Sequence, residues 1–164
     1  RLPNTAEDFQ KQFDFLTKVR NKVSEAHQAM IDIGSLRKDI KYLNDKIGKE
    51  ESFSDIIEMT KALEKDMSVI ENNIHMTKNK SRQDPLNFGI RINNRLAFLL
   101  ADQQRGDFPP TDQAEEVRKE LTEALDKELQ DLDVLLQERV TKINDTLKQK
   151  GLSVLQAPTK QVVN

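Results

Sequence analysis

From Phe9 the apolar positions run Phe9, Phe13, Leu16, Val19, Val23, Ala26, Met30, Ile33, Leu36, Ile40, Leu43 and Ile47, in steps of three and four. That spacing lays one stripe along a helix in a near-heptad pattern. Thr5, with Asp8 three residues on, offers a hydroxyl and a carboxylate to the free N–H groups of a helix start, and Gly48 offers an end. The pattern predicts a first helix over 5–48, about 65 Å long at 1.5 Å per residue. A helix of that length needs partners along it.

The same spacing returns in Phe53, Ile56, Thr60, Leu63, Met67, Ile70 and Ile74, a second helix over 53–79 that frays through Lys78, Lys80 and Arg82 before Asp84-Pro85 breaks it. A third, over 87–105, carries Ile92, Leu96, Leu99 and Leu100 and stops near Gly106 and Pro109-Pro110. The fourth, over 112–150, opens at Thr111 or Asp112 and runs through Val117, Leu121, Leu125, Leu129, Leu132, Leu136, Val140, Ile143 and Leu147 to Gly151. Short connections make sequential helices antiparallel, so the expected fold is all-α, an up-down-up-down four-helix bundle in one domain, 1–155, with a tail over 156–164. The long first and fourth helices would pair over their whole length. The two shorter ones would cap one end and leave a thin end, near Phe9, Phe13, Ile143 and Leu147, for docking.

Composition strengthens the helical reading. Charged residues make up 33% and hydrophobic ones 36%, with five Gly, five Pro, one Tyr and no Trp, the balance of amphipathic helices rather than of sheets. Lys and Arg number 26 against 28 Asp and Glu, a net charge of -2 that argues against a nucleic-acid partner. The absence of cysteine removes thiolate zinc sites and thiol catalysis. No apolar run approaches the roughly 20 residues of a membrane span. A chain that starts at Arg1 reads as an excised domain or a processed product.

Candidate chemistry is sparse. His27 and His75 are the only histidines. Glu71 precedes His75 by four residues and so shares its helical face, but a solvated pair is the favoured reading over a metal site. Adjacent acids such as Glu50-Glu51 and Glu115-Glu116 point apart on a helix and do not frame a cleft. Lys78, Lys80 and Arg82 read as a hydrated turn. No Gly-x-Ser-x-Gly elbow and no phosphate-cradling Gly-rich loop occurs. Catalytic, cofactor and metal residues are therefore expected to be none. Among Phe88, Phe98 and Phe108, Phe98 falls two residues after Leu96 and partly off the stripe, which makes it an interface candidate, with packing under the Phe108-Pro109 turn as the favoured reading.

Residues 13–40 and 86–136 carry a resemblance. Val23 to His27 (Val-Ser-Glu-Ala-His), Ile90 to Ala97 (Ile-Arg-Ile-Asn-Asn-Arg-Leu-Ala), Gly106-Asp107 and Pro110-Thr111 occur in the order found in the C-terminal helical region of bacterial secreted proteins with sortilin-like, BNR-repeat β-propellers, often labelled glycosyl hydrolases. Residues 41–85 match only in being helical, and Arg1-Leu2-Pro3 resembles the exit of the sandwich-like segment that precedes the helices. The resemblance implies secretion or a periplasmic location, with upstream propeller and sandwich-like domains of the same polypeptide as partners. Any hydrolase residues of such a parent would lie in the propeller.

Structural roles come first for the matching residues. Asn93 and Asn94, poor interior helix formers, are expected to hydrogen-bond to a neighbouring helix or to the Gly106-Asp107 turn, and Asp107 and Thr111 to brace the Pro-Pro turn. The leading functional expectation is a non-catalytic accessory domain serving as spacer, docking surface or dimerisation element. The alternative has the Gly106–Thr111 turn completing a hydrolase cleft on the propeller.

Overall fold

A computed structural model describes residues 4–48, 50–76 and 89–156. Lys78, Lys80, Arg82, Asp84-Pro85, Phe88, Arg1-Leu2-Pro3 and the tail beyond Gln156 lie outside them. Among the described residues every regular element is helical: α1 (Ala6–Ile47), a 3-10 turn (Glu51–Phe53), α2 (Ser54–Ile74), α3 (Ile92–Gln103) and α4 (Asp112–Gln149). The four α-helices pack on one core.

Local chemistry sets the ends. Thr5 and Asp8 form a reciprocal capping box: Asp8 N–H donates to Thr5 Oγ1 at 3.2 Å and Thr5 N–H to Asp8 Oδ2 at 2.9 Å. Those bonds from Thr5 hold the Asp8 carboxyl below its ordinary pKa. Thr111 caps α4 by accepting from Ala114 N–H at 3.1 Å. The second helix stops at Ile74 rather than 79, because His75 is already extended at φ -135 and ψ 138. The third starts at Ile92 rather than 87, behind an extended Arg91.

Contacts between helices correct the expected up-down-up-down order. Asn44 bonds Thr60, and Arg37 bonds Ser68 and Glu71, so α2 is antiparallel to α1. Asp55 pairs with Lys150, Asp66 with Arg139 and Asn73 with Glu128, so α2 is antiparallel to α4 too. Hence α1 and α4 run the same way, a relation that Lys22–Asp126 joins across. For α3, Gln12 reaches Gln103 and His27 reaches Asn93, which makes it antiparallel to α1. So α2 and α3 form one descending column in two pieces beside two ascending helices. The antiparallel rule holds across the short links 48–53 and 104–111. It fails across 75–91, a connection long enough for the chain to continue in the same sense.

That geometry also removes the expected thin end. Ile143 and Leu147 are buried beside Leu43, Ile47 and Ile56, whereas Phe9 and Phe13 stand at the opposite end of the molecule, beside the α3–α4 turn.

The α1 seam differs from the apolar stripe as far as Met30, since Leu16, Val23 and Met30 are only half-buried. Buried residues are Phe15, Val19, Ala26, Ala29, Ile33, Leu36, Ile40, Leu43 and Ile47. Val19, Ala26, Ile33, Ile40 and Ile47 repeat every seven, as do Ala29, Leu36 and Leu43. Extended backwards, those two heptad positions fall on Gln12 and on Lys22 and Phe15, so the seam runs through two polar residues and leaves Phe9 and Phe13 outside it. The α2 stripe is as expected, with Ile56, Thr60, Leu63, Met67, Ile70 and Ile74 all buried.

Candidate functional site

Two places concentrate polar groups or exposed aromatics where packing alone would not put them. The first is the end of the molecule where α1 begins and α3 turns into α4. Gln12 sits at an interior heptad position, and its amide nitrogen donates to two main-chain carbonyls, Gln103 O at 2.9 Å and Gly106 O. Gln103 ends α3 and Gly106 lies just beyond it, where no further helical N–H reaches the carbonyls. One side chain thereby fixes the turn to α1. A Cβ at Gly106 would collide with the Phe108 ring, so glycine here lets the ring lie against the main chain.

The aromatics gather around that anchor. Phe9 and Phe13 are one turn apart on α1 and flank Gln12, with 48% and 64% of their surface exposed, and Phe108, over Gly106, is 47% exposed. Thr111 caps α4 just beyond Pro109 and Pro110, which are half-buried, while Asp107 is exposed. Phe98 is 62% exposed but belongs elsewhere. It lies on α3 two residues from the fully buried Leu96, so it is on the outer face rather than packed beneath the Phe108-Pro109 turn.

The second place is the level at which α2 ends and α3 begins. Asn93 is buried, at 6% exposure, and its Nδ2 lies 3.2 Å from His27 Nε2, the bond to a neighbouring helix expected of these amides. Asn94 is half-buried. Lys22 bonds both Glu25 at 2.8 Å and Asp126 at 2.7 Å. Desolvation draws the Lys22 pKa down, but the hydrogen bonds to Asp126 and Glu25 outweigh it and hold the ammonium above the ordinary lysine value. His75 Nδ1, Arg91 Nε, Asn93 Oδ1 and Thr122 Oγ1 are buried without a hydrogen-bond partner among the described residues.

Glu71, the neighbour of His75 on α2, gives its carboxylate to Arg37 at 2.7 Å rather than to the imidazole. Among the described residues no three His, Cys, Asp or Glu side chains come together as metal ligands would, and no helix is long and apolar enough to cross a membrane. Sequence reasoning missed Gln12, Lys22 and Phe15, whose signal was the seven-residue interval back from Val19, Ala26 and Ala29. No protein-family model, no curated protein and no solved structure matches the chain.

Proposed function

We propose that the chain is a non-catalytic accessory domain, a rod that docks a neighbouring domain of the same secreted polypeptide on its aromatic end. The observation that carries this reading is the exposure of Phe9, Phe13 and Phe108 around a turn pinned by Gln12. Three large apolar side chains exposed around a turn bonded to α1 are the kind of patch that contact surfaces use. The resemblance to sortilin-like propeller proteins supplies the partner: a β-rich domain joined ahead of α1 arrives at this end of the rod. Secretion or a periplasmic location follows from the same resemblance.

The test is binding of the chain to the sandwich-like and propeller domains of its parent supplied in trans, measured by sedimentation velocity for the wild type and for Phe13→Asp. Wild-type association weakened at least tenfold by Phe13→Asp is the expected result. Equal association of both overturns the reading, and a wild type that forms a homodimer through the aromatic end makes that end an assembly interface instead. The cleft-completing alternative draws on the same pinned turn. It requires that replacing residues 103–112 by a polar loop abolish turnover in the parent while leaving its secretion level intact.

A further inference from the structure

Beyond α4 the chain turns back on itself. Gly151, at φ +68, closes the helix in a Schellman motif: Leu152 N–H donates to Leu147 O at 2.9 Å and Gly151 N–H to Lys148 O at 3.0 Å. The segment that follows, 152–156, is non-helical and lies as a strap against α1. Leu155 is buried in the common core, Leu152 packs on it half-buried, and Ser153 and Val154 face solvent.

One side chain grips the main chain of the strap. Asn144 Nδ2 donates to Leu155 O at 2.9 Å, and Leu155 N–H donates to Asn144 Oδ1 at 2.8 Å. A carboxamide that satisfies both the N–H and the C=O of a single residue reads extended backbone whatever the side chain is. The socket for Leu155 adds selection for that side chain. Beneath the strap a cleft of about 290 Å³ remains, walled on the α1 side by Asp39, Tyr42, Leu43 and Lys46. The strap is therefore held by two leucines three residues apart and one amide clamp, few contacts beside those of the helices, and such elements open most readily.

We infer that the groove between the Asp39–Lys46 face of α1 and Asn144 of α4 is a peptide-binding groove, occupied by the chain's own strap. Its ligand in trans is an extended peptide with two leucines spaced as in Leu152-Ser153-Val154-Leu155. The tether at Gly151 gives the strap a high effective concentration, so a free peptide binds weakly until the strap is displaced.

The test uses the full chain and a fluorescent peptide of sequence Gly-Leu-Ser-Val-Leu-Gln, with binding read by anisotropy. Leu155→Ser should release the strap, seen as faster hydrogen exchange at 153–156 with unchanged helicity, and bind the peptide at least tenfold more tightly than the wild type. Adding Asn144→Ala should remove that gain. If Leu155→Ser loses helicity, a chain ended after Gly151 is measured in its place. A released strap with no gain in peptide binding, or a gain indifferent to Asn144, overturns the inference. A wild-type dimer at high concentration that Asn144→Ala abolishes supports it and identifies a second copy's strap as the peptide.

Discussion

The two ends of the rod are built by the same rule and used differently. Around α2, the α1 seam is aliphatic from Ile33 to Ile47 and meets Ile56, Leu63, Met67 and Ile74 on one side and Val140, Ile143 and Leu147 on the other. Around α3, the same seam passes through Gln12, Phe15, Val19, Lys22, Ala26 and Ala29, and the shorter partner helix has only Asn93 and Leu96 buried. Large interlocking side chains supply most of the burial energy at the first end. The second end buries Phe15, Val19, Leu121 and Leu125 as well, but the two polar and two alanine positions of its α1 seam leave it less to lose, and Phe9, Phe13 and Phe108 lie outside it. Stability is concentrated away from the surface proposed to bind.

The largest contrast should appear on truncating one core residue at each end. Ile40→Ala, at a fully buried seam position facing α2 and α4, should cost about 2–5 kcal/mol in denaturant unfolding. Leu96→Ala removes similar volume from α3, yet should lower global stability by less than half as much. It should instead speed hydrogen exchange in 92–103 while leaving 54–74 unchanged, because a weakly held end opens on its own. Equal global losses would show that the rod unfolds as one unit and that its ends do not differ.

A smaller effect is expected at the pinned turn. Gln12→Ala withdraws the donor from Gln103 O and Gly106 O, and a lost bond to partly buried carbonyls costs about 1–2 kcal/mol. Exchange at the start of α4 should rise, and the proposed partner should bind less tightly although no aromatic has changed. An unchanged affinity would separate the turn from the aromatic surface.

Much of the fold was legible because helix periodicity and caps are local. The Thr5–Asp8 box, the Thr111 cap, the close at Gly151 and the whole α2 stripe follow from residues within a few positions of one another. The direction of α3 was not legible, since nothing local across 75–91 says whether the chain reverses. The phase of α1 before Ile33 was misread in part, for another reason: a count of apolar residues alone prefers Phe13, Leu16, Val23 and Met30, while the actual seam keeps its seven-residue interval through Gln12, Phe15, Lys22 and Ala29. Asn93 was identified from its residue type as an amide linking helices. The Asn144 clamp was missed because an asparagine on a charged helix face carries no sign of the main chain it will hold.

Lys22 gives the smallest predicted effect and the sharpest view of why a charge sits in the seam. It occupies the heptad position that Ala29, Leu36 and Leu43 fill further along, with 22% of its side chain exposed. Replacing a partly buried ion pair by an apolar residue of similar length is close to neutral when the partner left behind stays in water, and Asp126 is 51% exposed. Lys22→Met should therefore change stability at pH 7 by no more than about 1 kcal/mol. Its signature should appear in alkali. The folded pKa of Lys22 is raised, so its contribution is complete below the unfolded lysine value, about 10.4, and is lost as pH rises through the folded value. Between pH 9 and pH 11.5 the wild type should lose more stability than Lys22→Met, with the other lysines common to both. Parallel losses would mean that the pair contributes no net stability and that Lys22 serves alignment alone, disfavouring any register of α1 against α4 that buries its ammonium without Asp126.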